Sequence, residues 1–123
     1  RGDEALMLEA LRQCRLRTAL FDGNEFWRTK DDAGVRHDRN WARGIAWQLL
    51  GLVRTLEVAK DRDDTEDLIK ELHSLSRWVM RHQREDGLWS VIVTEPSLTA
   101  DTSGCAGIAA ALARAARHGW LDS

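Results

Sequence analysis

The chain has 123 residues, which is enough for one hydrophobic core and too few for two. Apolar residues make up 43% and charged residues 31%, the balance of a folded globular protein rather than a disordered one. The net charge is −2 with both signs interspersed, so we expect no nucleic-acid partner. No apolar run approaches the ~20 residues needed to span a bilayer, so we expect no membrane anchor.

The two cysteines, Cys14 and Cys105, lie far apart and form no CxxC motif. This spacing argues against a zinc site and against a disulfide framework, and it favours a reducing cytoplasm. The chain starts at Arg1 with neither an initiator methionine nor a signal-peptide pattern. We therefore interpret residues 1–123 as a single, partial helical-hairpin domain, a fragment of a larger barrel, with a cytoplasmic location.

Helices should dominate, because the sequence has one proline and almost no alternating apolar and polar run outside residues 89–93. Capping signals and periodicity predict four helices. They are residues 3–19 with Asp3 as N-cap, 41–59 with Asn40 as N-cap, a third after Asp64 and Thr65, and 103–118 closing at Gly119.

The composition of the four helices predicts which are inner and which are outer. The second helix is apolar on nearly all sides, since Arg43 is its only charge between residues 41 and 53, so it should be buried. The fourth consists of small residues, which permit close helix contact. The first and third are predicted to be amphipathic, with apolar faces at Leu6, Leu8, Leu11, Cys14 and Leu16 and at Leu68, Leu72, Leu75, Val79 and His82, respectively. Helices two to four therefore alternate inner, outer, inner.

The connections alternate in length as well. Residues 20–40 and 86–102 form long loops, whereas residues 60–64 form a short one. Long loops without structure of their own are uncommon and often functional. Both long loops lead into the N-termini of the predicted inner helices, so in a ring of helical hairpins they would share one rim.

The start of the second helix carries the most informative pattern. Arg43 and Trp47 stand four residues apart and so share a helix face. A guanidinium can hold a carboxylate with two parallel hydrogen bonds, while an indole stacks on the apolar face of a sugar ring. This pair therefore suits an acidic sugar. In the alternative interpretation Arg43 pairs with a neighbouring acid, and Trp41 and Trp47 fill the core.

Other polar segments allow a structural or a functional interpretation. The turn at Asp86–Gly87 is followed by Trp89, which either packs or lies exposed in a loop, and Asp101 or Thr102 could simply cap the fourth helix. The four histidines are His37, His73, His82 and His118. Their spacing does not match that of metal ligands, so we expect no metal site. The candidates for general acid or base work are the acids of the first long loop: Asp22, Glu25, Asp31, Asp32 and Asp38.

Three motifs together resemble the unsaturated uronyl hydrolases, glycoside hydrolase families 88 and 105. They are Trp41-Ala42-Arg43-Gly44 with Trp47, then Gln83 followed by Asp86-Gly87-Leu88-Trp89, then Asp101-Thr102-Ser103-Gly104 with the ending Gly119-Trp120-Leu121-Asp122. The resemblance covers nearly all of the chain from Leu20 onward. It implies an all-α fold, part of an (α/α)6 toroid with about four helices alternating inner and outer, and no metal or other cofactor.

The resemblance also implies a chemistry. These enzymes act on oligosaccharides with a 4,5-unsaturated uronic acid at the non-reducing end, and an aspartic acid protonates the C4=C5 bond and activates water at C5. By similarity, Arg43 grips the substrate, Trp47 stacks on it, and Trp41 is a further pocket aromatic. The family's catalytic aspartate lies upstream of residue 1, so none of the acids here takes that role.

Two departures leave the substrate branch open. Asp22 stands nearest the position of the pocket histidine of the rhamnogalacturonyl branch, so it is a substrate-binding candidate. Ala33 aligns with a glutamine that the glucuronyl branch tends to carry. The interpretation is a glycoside hydrolase whose partners are an acidic oligosaccharide and the remainder of its own barrel or a second copy. The alternatives are another (α/α)-toroid sugar enzyme, such as an epimerase, and a non-catalytic helical module that binds carbohydrate or peptide.

Overall fold

The computed structural model describes residues 2–121. Asp122, the last residue of the Gly119–Asp122 motif, lies outside the described residues. In chain order the elements are α1 (Gly2–Arg17), a 3-10 turn (Thr18–Leu20), β1 (Trp27–Lys30), β2 (Arg36–Arg39), α2 (Ala42–Val58), α3 (Glu66–Arg81) and α4 (Thr102–Arg117). The four predicted helices are confirmed.

The first long loop contains an antiparallel hairpin, β1–β2, that the sequence did not predict. Its turn is held by the Asp31 carboxylate, which accepts hydrogen bonds from the backbone N–H groups of Ala33 and Val35 at 3.0 and 2.9 Å, and by Gly34 at φ +84°. All of β2 is exposed. A hairpin without a buried face leaves no alternating apolar pattern, which explains why the pattern analysis missed it.

The closest helix contact is between α2 and α4, as the small residues of α4 predicted. A Cβ atom added at Gly104 would lie 2.8 Å from the Cβ of Ala42, and one added at Gly107 would lie 2.7 Å from the Cβ of Ala46. Both distances are too short for real carbon contacts. The two backbones therefore approach each other closely only because glycine faces alanine at these levels.

Helix α3 packs on α2 through the predicted stripe. Leu68, Leu72, Leu75 and Val79 are all fully buried, and the charged residues of α3 lie off this stripe. The amphipathic pattern of α3 is therefore confirmed, with one side on the core and one side exposed.

The prediction of a single apolar face on α1 was wrong. Only Leu11 is fully buried, whereas Leu6 and Leu16 are 71% and 57% exposed. At about 100° per residue the predicted apolar positions are spread around the helix rather than gathered on one side. Helix α1 therefore carries apolar side chains that nothing in residues 2–121 covers.

Helix α2 is buried except for one stripe. Its exposed residues recur at helical spacing: Arg43, Trp47, Gly51, Arg54 and Val58. The prediction of burial on all sides is therefore only partly right. Neighbouring helices cover most of α2 and leave open the face on which the Arg43–Trp47 pair stands.

The helix caps differ in part from the sequence prediction. Asp101 is the N-cap of α4, and its carboxylate accepts a hydrogen bond from the Gly104 N–H at 3.0 Å. Gly119, at φ +73°, follows the C-cap of α4 as predicted. Asp3 lies inside the first turn of α1, and Thr65 precedes α3 without a side-chain cap. None of the helices in residues 2–121 is long and apolar enough to cross a membrane.

Candidate functional site

The two long loops meet at the start of α2. The backbone N–H of Ala42 donates to the carbonyl of Val91 at 2.9 Å, and the N–H of Val93 donates to the carbonyl of Asn40 at 2.9 Å. Trp41 and Ile92 thereby form an isolated antiparallel bridge. The expected juxtaposition of the loops is confirmed, and Trp41 lies at their junction.

Asn40 fixes this junction. The sequence predicted Asn40 as the N-cap of α2, but Trp41 occupies that position, without a side-chain cap. Asn40 is 1% exposed and has φ 58°, a left-handed conformation that asparagine tolerates better than most residues. Its side chain accepts a hydrogen bond from the Phe26 N–H at 2.8 Å and donates to the Glu25 carboxylate and to Thr94 Oγ1. It therefore joins the hairpin base to the second loop.

Arg43 is positioned by two neighbours and remains half exposed. Its Nε lies 3.2 Å from Oδ2 of Asp101, whose side chain is only 9% exposed. Its guanidinium carbon lies 4.7 Å from the centroid of the Trp41 ring. A Cβ atom added at the next residue, Gly44, would lie 3.4 Å from ring atoms of both Phe26 and Trp41. Since one edge and one face of the guanidinium are occupied, the two terminal amino groups remain available to a ligand.

The two tryptophans have different surroundings. The Trp41 and Trp47 rings meet edge to face, with centroids 5.1 Å apart and an interplanar angle of 86°. Trp41 is half-buried, whereas Trp47 is 54% exposed. Trp47 therefore lies outside the core that residues 2–121 form, while Trp41 supports both Trp47 and Arg43. The alternative in which Arg43 pairs with a neighbouring acid holds, although the pairing leaves Arg43 exposed.

An open cavity of about 340 Å³ lies beside this group. Arg28 reaches it from β1, with its Nε 2.6 Å from Oδ2 of Asp38, and its guanidinium carbon lies 5.8 Å from the Trp41 ring centroid. Besides Arg28, Asp38 and Trp41, the cavity is lined by Arg39 and Ile92. The hairpin therefore adds two arginines that sequence analysis did not single out, although the basic residues of β2 were a visible signal.

The structure does not bring Asp22 into contact with this group. Its carboxylate accepts hydrogen bonds from the backbone N–H groups of Asn24 and Glu25, at 2.9 and 2.8 Å, and these bonds lower the pKa of Asp22. Asp22 therefore closes a turn at the base of the hairpin, and its role in substrate binding stays a prediction.

Asp31, another acid of this loop, is engaged as well. The His37 ring lies 3.0 Å from the Asp31 carboxylate, and this contact together with the turn N–H groups lowers the pKa of Asp31. A carboxyl with a lowered pKa is ionised at neutral pH and is a poor proton donor.

Trp89 is 3% exposed and donates its indole N–H to the Val79 carbonyl at 2.8 Å, so it packs rather than lying exposed in a loop. Residues 2–121 contain no group of three or more side chains placed to hold a metal.

The fold and the site define a class: an all-α protein built as part of an (α/α)6 toroid, with an arginine–tryptophan face at the start of an inner helix. The Glycosyl Hydrolase Family 88 model matches residues 4–123. The chain belongs to this glycoside hydrolase family, as the motifs predicted.

Two curated relatives and one solved structure are similar to the chain. Protein Atu3128 of Agrobacterium fabrum and the 24.9 kDa protein in picA locus of Rhizobium radiobacter are each 30% identical to it over 134 residues, covering 98% of this chain. The chain spans 58% of the length of each. A possible member of the GH105 family from Klebsiella pneumoniae superposes with a TM-score of 0.81 at 25% identity, covering 93% of this chain and 32% of that one.

Proposed function

We propose that the parent protein hydrolyses oligosaccharides ending in a 4,5-unsaturated uronic acid, and that this chain supplies part of the substrate-binding wall. The observation that carries the proposal is the Arg43–Trp47 face. The guanidinium is braced by Asp101 and Trp41 with its terminal amino groups open, four residues from a half-exposed indole. A planar carboxylate on a sugar ring matches both features.

The chemistry assigned here to the parent protein is hydration. Water adds across the C4=C5 bond, with the proton going to C4 and the hydroxyl to C5, and the resulting hemiketal opens and releases the remaining saccharide. Arg43 would hold the C5 carboxylate and Trp47 the ring, which orients the double bond toward an acid. We place that acid upstream of residue 1, as the resemblance to the family implies.

The test is turnover by the parent protein. Oligosaccharides made by a polysaccharide lyase absorb ultraviolet light through the C4=C5 bond conjugated with the carboxylate, so hydration removes the absorbance. We expect the parent protein to remove it and to leave the saturated oligosaccharide of the same sugars uncleaved. Binding of the unsaturated sugar without turnover would instead support the non-catalytic binding module.

The exposed apolar surface on α1 and α2 is proposed to be covered by further helices of the same barrel. Leu6 and Val58 are 71% and 73% exposed and line an open groove of about 640 Å³. We expect residues 1–123 produced alone to self-associate through this groove, because contiguous apolar surface of this kind is unfavourable in water.

Sedimentation would measure that association. The double variant Leu6→Glu, Val58→Glu should shift the chain toward monomer, whereas Leu98→Glu, at a partly exposed leucine outside the groove, should not. A stable monomeric wild-type chain would contradict the proposal.

We also propose a cytoplasmic location, which is supported by the free thiols of Cys14 and Cys105.

A further inference from the structure

The cavity beside Trp41 contains two cations that a grip on one carboxylate does not use. Arg28 and Arg39 both line it, and both side chains are substantially exposed, at 41% and 60%. Arg28 and Arg43 approach the same Trp41 ring, at 5.8 and 4.7 Å from its centroid. The two guanidinium groups are therefore no further apart than the sum of these distances, a span that adjacent units of an oligosaccharide can bridge.

Each of the three arginines approaches its carboxylate through Nε, although only Arg28 forms a hydrogen bond, to Asp38. The Nε atoms of Arg28, Arg39 and Arg43 lie 2.6, 3.7 and 3.2 Å from carboxylate oxygens of Asp38, Glu25 and Asp101, respectively. No other acid within residues 2–121 pairs with their terminal amino groups. Each arginine thus keeps free the fork that binds a carboxylate or sulfate by two parallel hydrogen bonds. Because each of these arginines already faces a carboxylate, selectivity for an anionic ligand comes from their directed N–H groups rather than from a net positive charge.

The backbone around Arg39 is held in an unusual conformation. Asp38 and Asn40, which flank it, have φ values of 57° and 58°, in the left-handed region that residues with a Cβ atom rarely adopt. Such residues persist where the surrounding structure determines them, often at ligand sites. Here the Asn40 hydrogen bonds to Phe26 and Thr94 provide that constraint.

We propose that Arg28 and Arg39 form a second anion-binding subsite beside Arg43, which takes a second carboxylate or a sulfate on the same oligosaccharide. This inference rests on the proposed function, since it places the first carboxylate at Arg43. It narrows the substrate class to oligosaccharides with an anionic group on the sugar next to the unsaturated uronic acid.

Calorimetry on the purified protein with three probes tests the subsite. The probes are an unsaturated rhamnogalacturonan disaccharide with one carboxylate, unsaturated digalacturonate with two, and a monosulfated unsaturated chondroitin disaccharide with a carboxylate and a sulfate. We expect at least one two-anion probe to bind about tenfold more tightly than the one-carboxylate probe. Which of the two gains affinity identifies the second anion as carboxylate or sulfate.

Arg28→Gln and Arg39→Gln should each remove most of that gain and leave the affinity for the one-carboxylate probe unchanged. Arg36→Gln is the matched control, because Arg36 lies on the same hairpin, outside the cavity, with its guanidinium 4.5 Å from the Trp27 ring centroid. A gain that survives both cavity variants, or no gain in the wild type, would overturn the subsite. Failure of the proposed function gives a different result: the one-carboxylate probe would not bind, or its binding would not respond to Arg43→Lys.

Discussion

Replacing Gly104 by alanine is expected to destabilise the protein by about 3 kcal/mol, in spite of alanine's better helix propensity. The new Cβ atom would lie 2.8 Å from the Cβ of Ala42 and 3.2 Å from the backbone N of Arg43. Neither atom is the end of a flexible side chain, so α4 and α2 would have to move apart. Urea unfolding measures the effect, and Gly107→Ala should behave in the same way because its Cβ would lie 2.7 Å from that of Ala46.

Gly51→Ala is the matched control. Gly51 lies in α2 with nothing within 4 Å of an added Cβ atom, so the same substitution should stabilise the protein by about 0.5–1 kcal/mol through lower chain entropy in the unfolded state. Similar effects at Gly51 and Gly104 would show that the close approach of α2 and α4 does not contribute to stability. The Gly104 variant should also weaken sugar binding, because the clash falls on the backbone of Arg43.

Arg43→Lys is expected to weaken binding of an unsaturated uronyl disaccharide by about tenfold, although the positive charge is retained. Lysine can still pair with Asp101, so the substitution isolates the loss of the planar fork from the loss of charge. It also removes the flat group that lies 4.7 Å from the Trp41 ring centroid. Calorimetry gives the dissociation constant.

Arg54→Lys is the control for that experiment. Arg54 stands on the same exposed stripe of α2 as Arg43 and Trp47, away from the loop junction, and its replacement should leave the affinity unchanged. An equal affinity of wild type and Arg43→Lys would mean that Arg43 serves only as the structural partner of Asp101. The affinity of Trp47→Ala would then decide between two cases. A loss of affinity would indicate a sugar site that does not use Arg43, and an unchanged affinity would indicate no sugar site on this face.

Local pattern predicted the helices well. The stripe from Leu68 to Val79 repeats at helical spacing, and the small residues of α4 forecast its close approach to α2. The pattern failed for α1, where Leu6, Leu11 and Leu16 were assigned to one face although they point in different directions. It also failed for the hairpin, because exposed strands need not alternate.

The candidate site was predicted only in part. The spacing of Arg43 and Trp47 placed them on one helix face, and the structure shows Trp47 exposed there. The ion pair of Arg43 with Asp101 joins residues 58 positions apart, and nothing local in the sequence indicates it. Asn40 had been assigned as a cap because it precedes α2, whereas its partners come from the hairpin and from the second loop.

Local pattern was enough to predict the helical class, the helix limits within a few residues and the Arg43–Trp47 face, because helix periodicity and capping act over three or four residues. The folded chain was needed to show which carboxylate each arginine meets, where the hairpin lies and which stripe of α2 stays open. Those features depend on contacts between segments far apart in the chain, such as Asn40 with Thr94, and such contacts leave no mark on local periodicity.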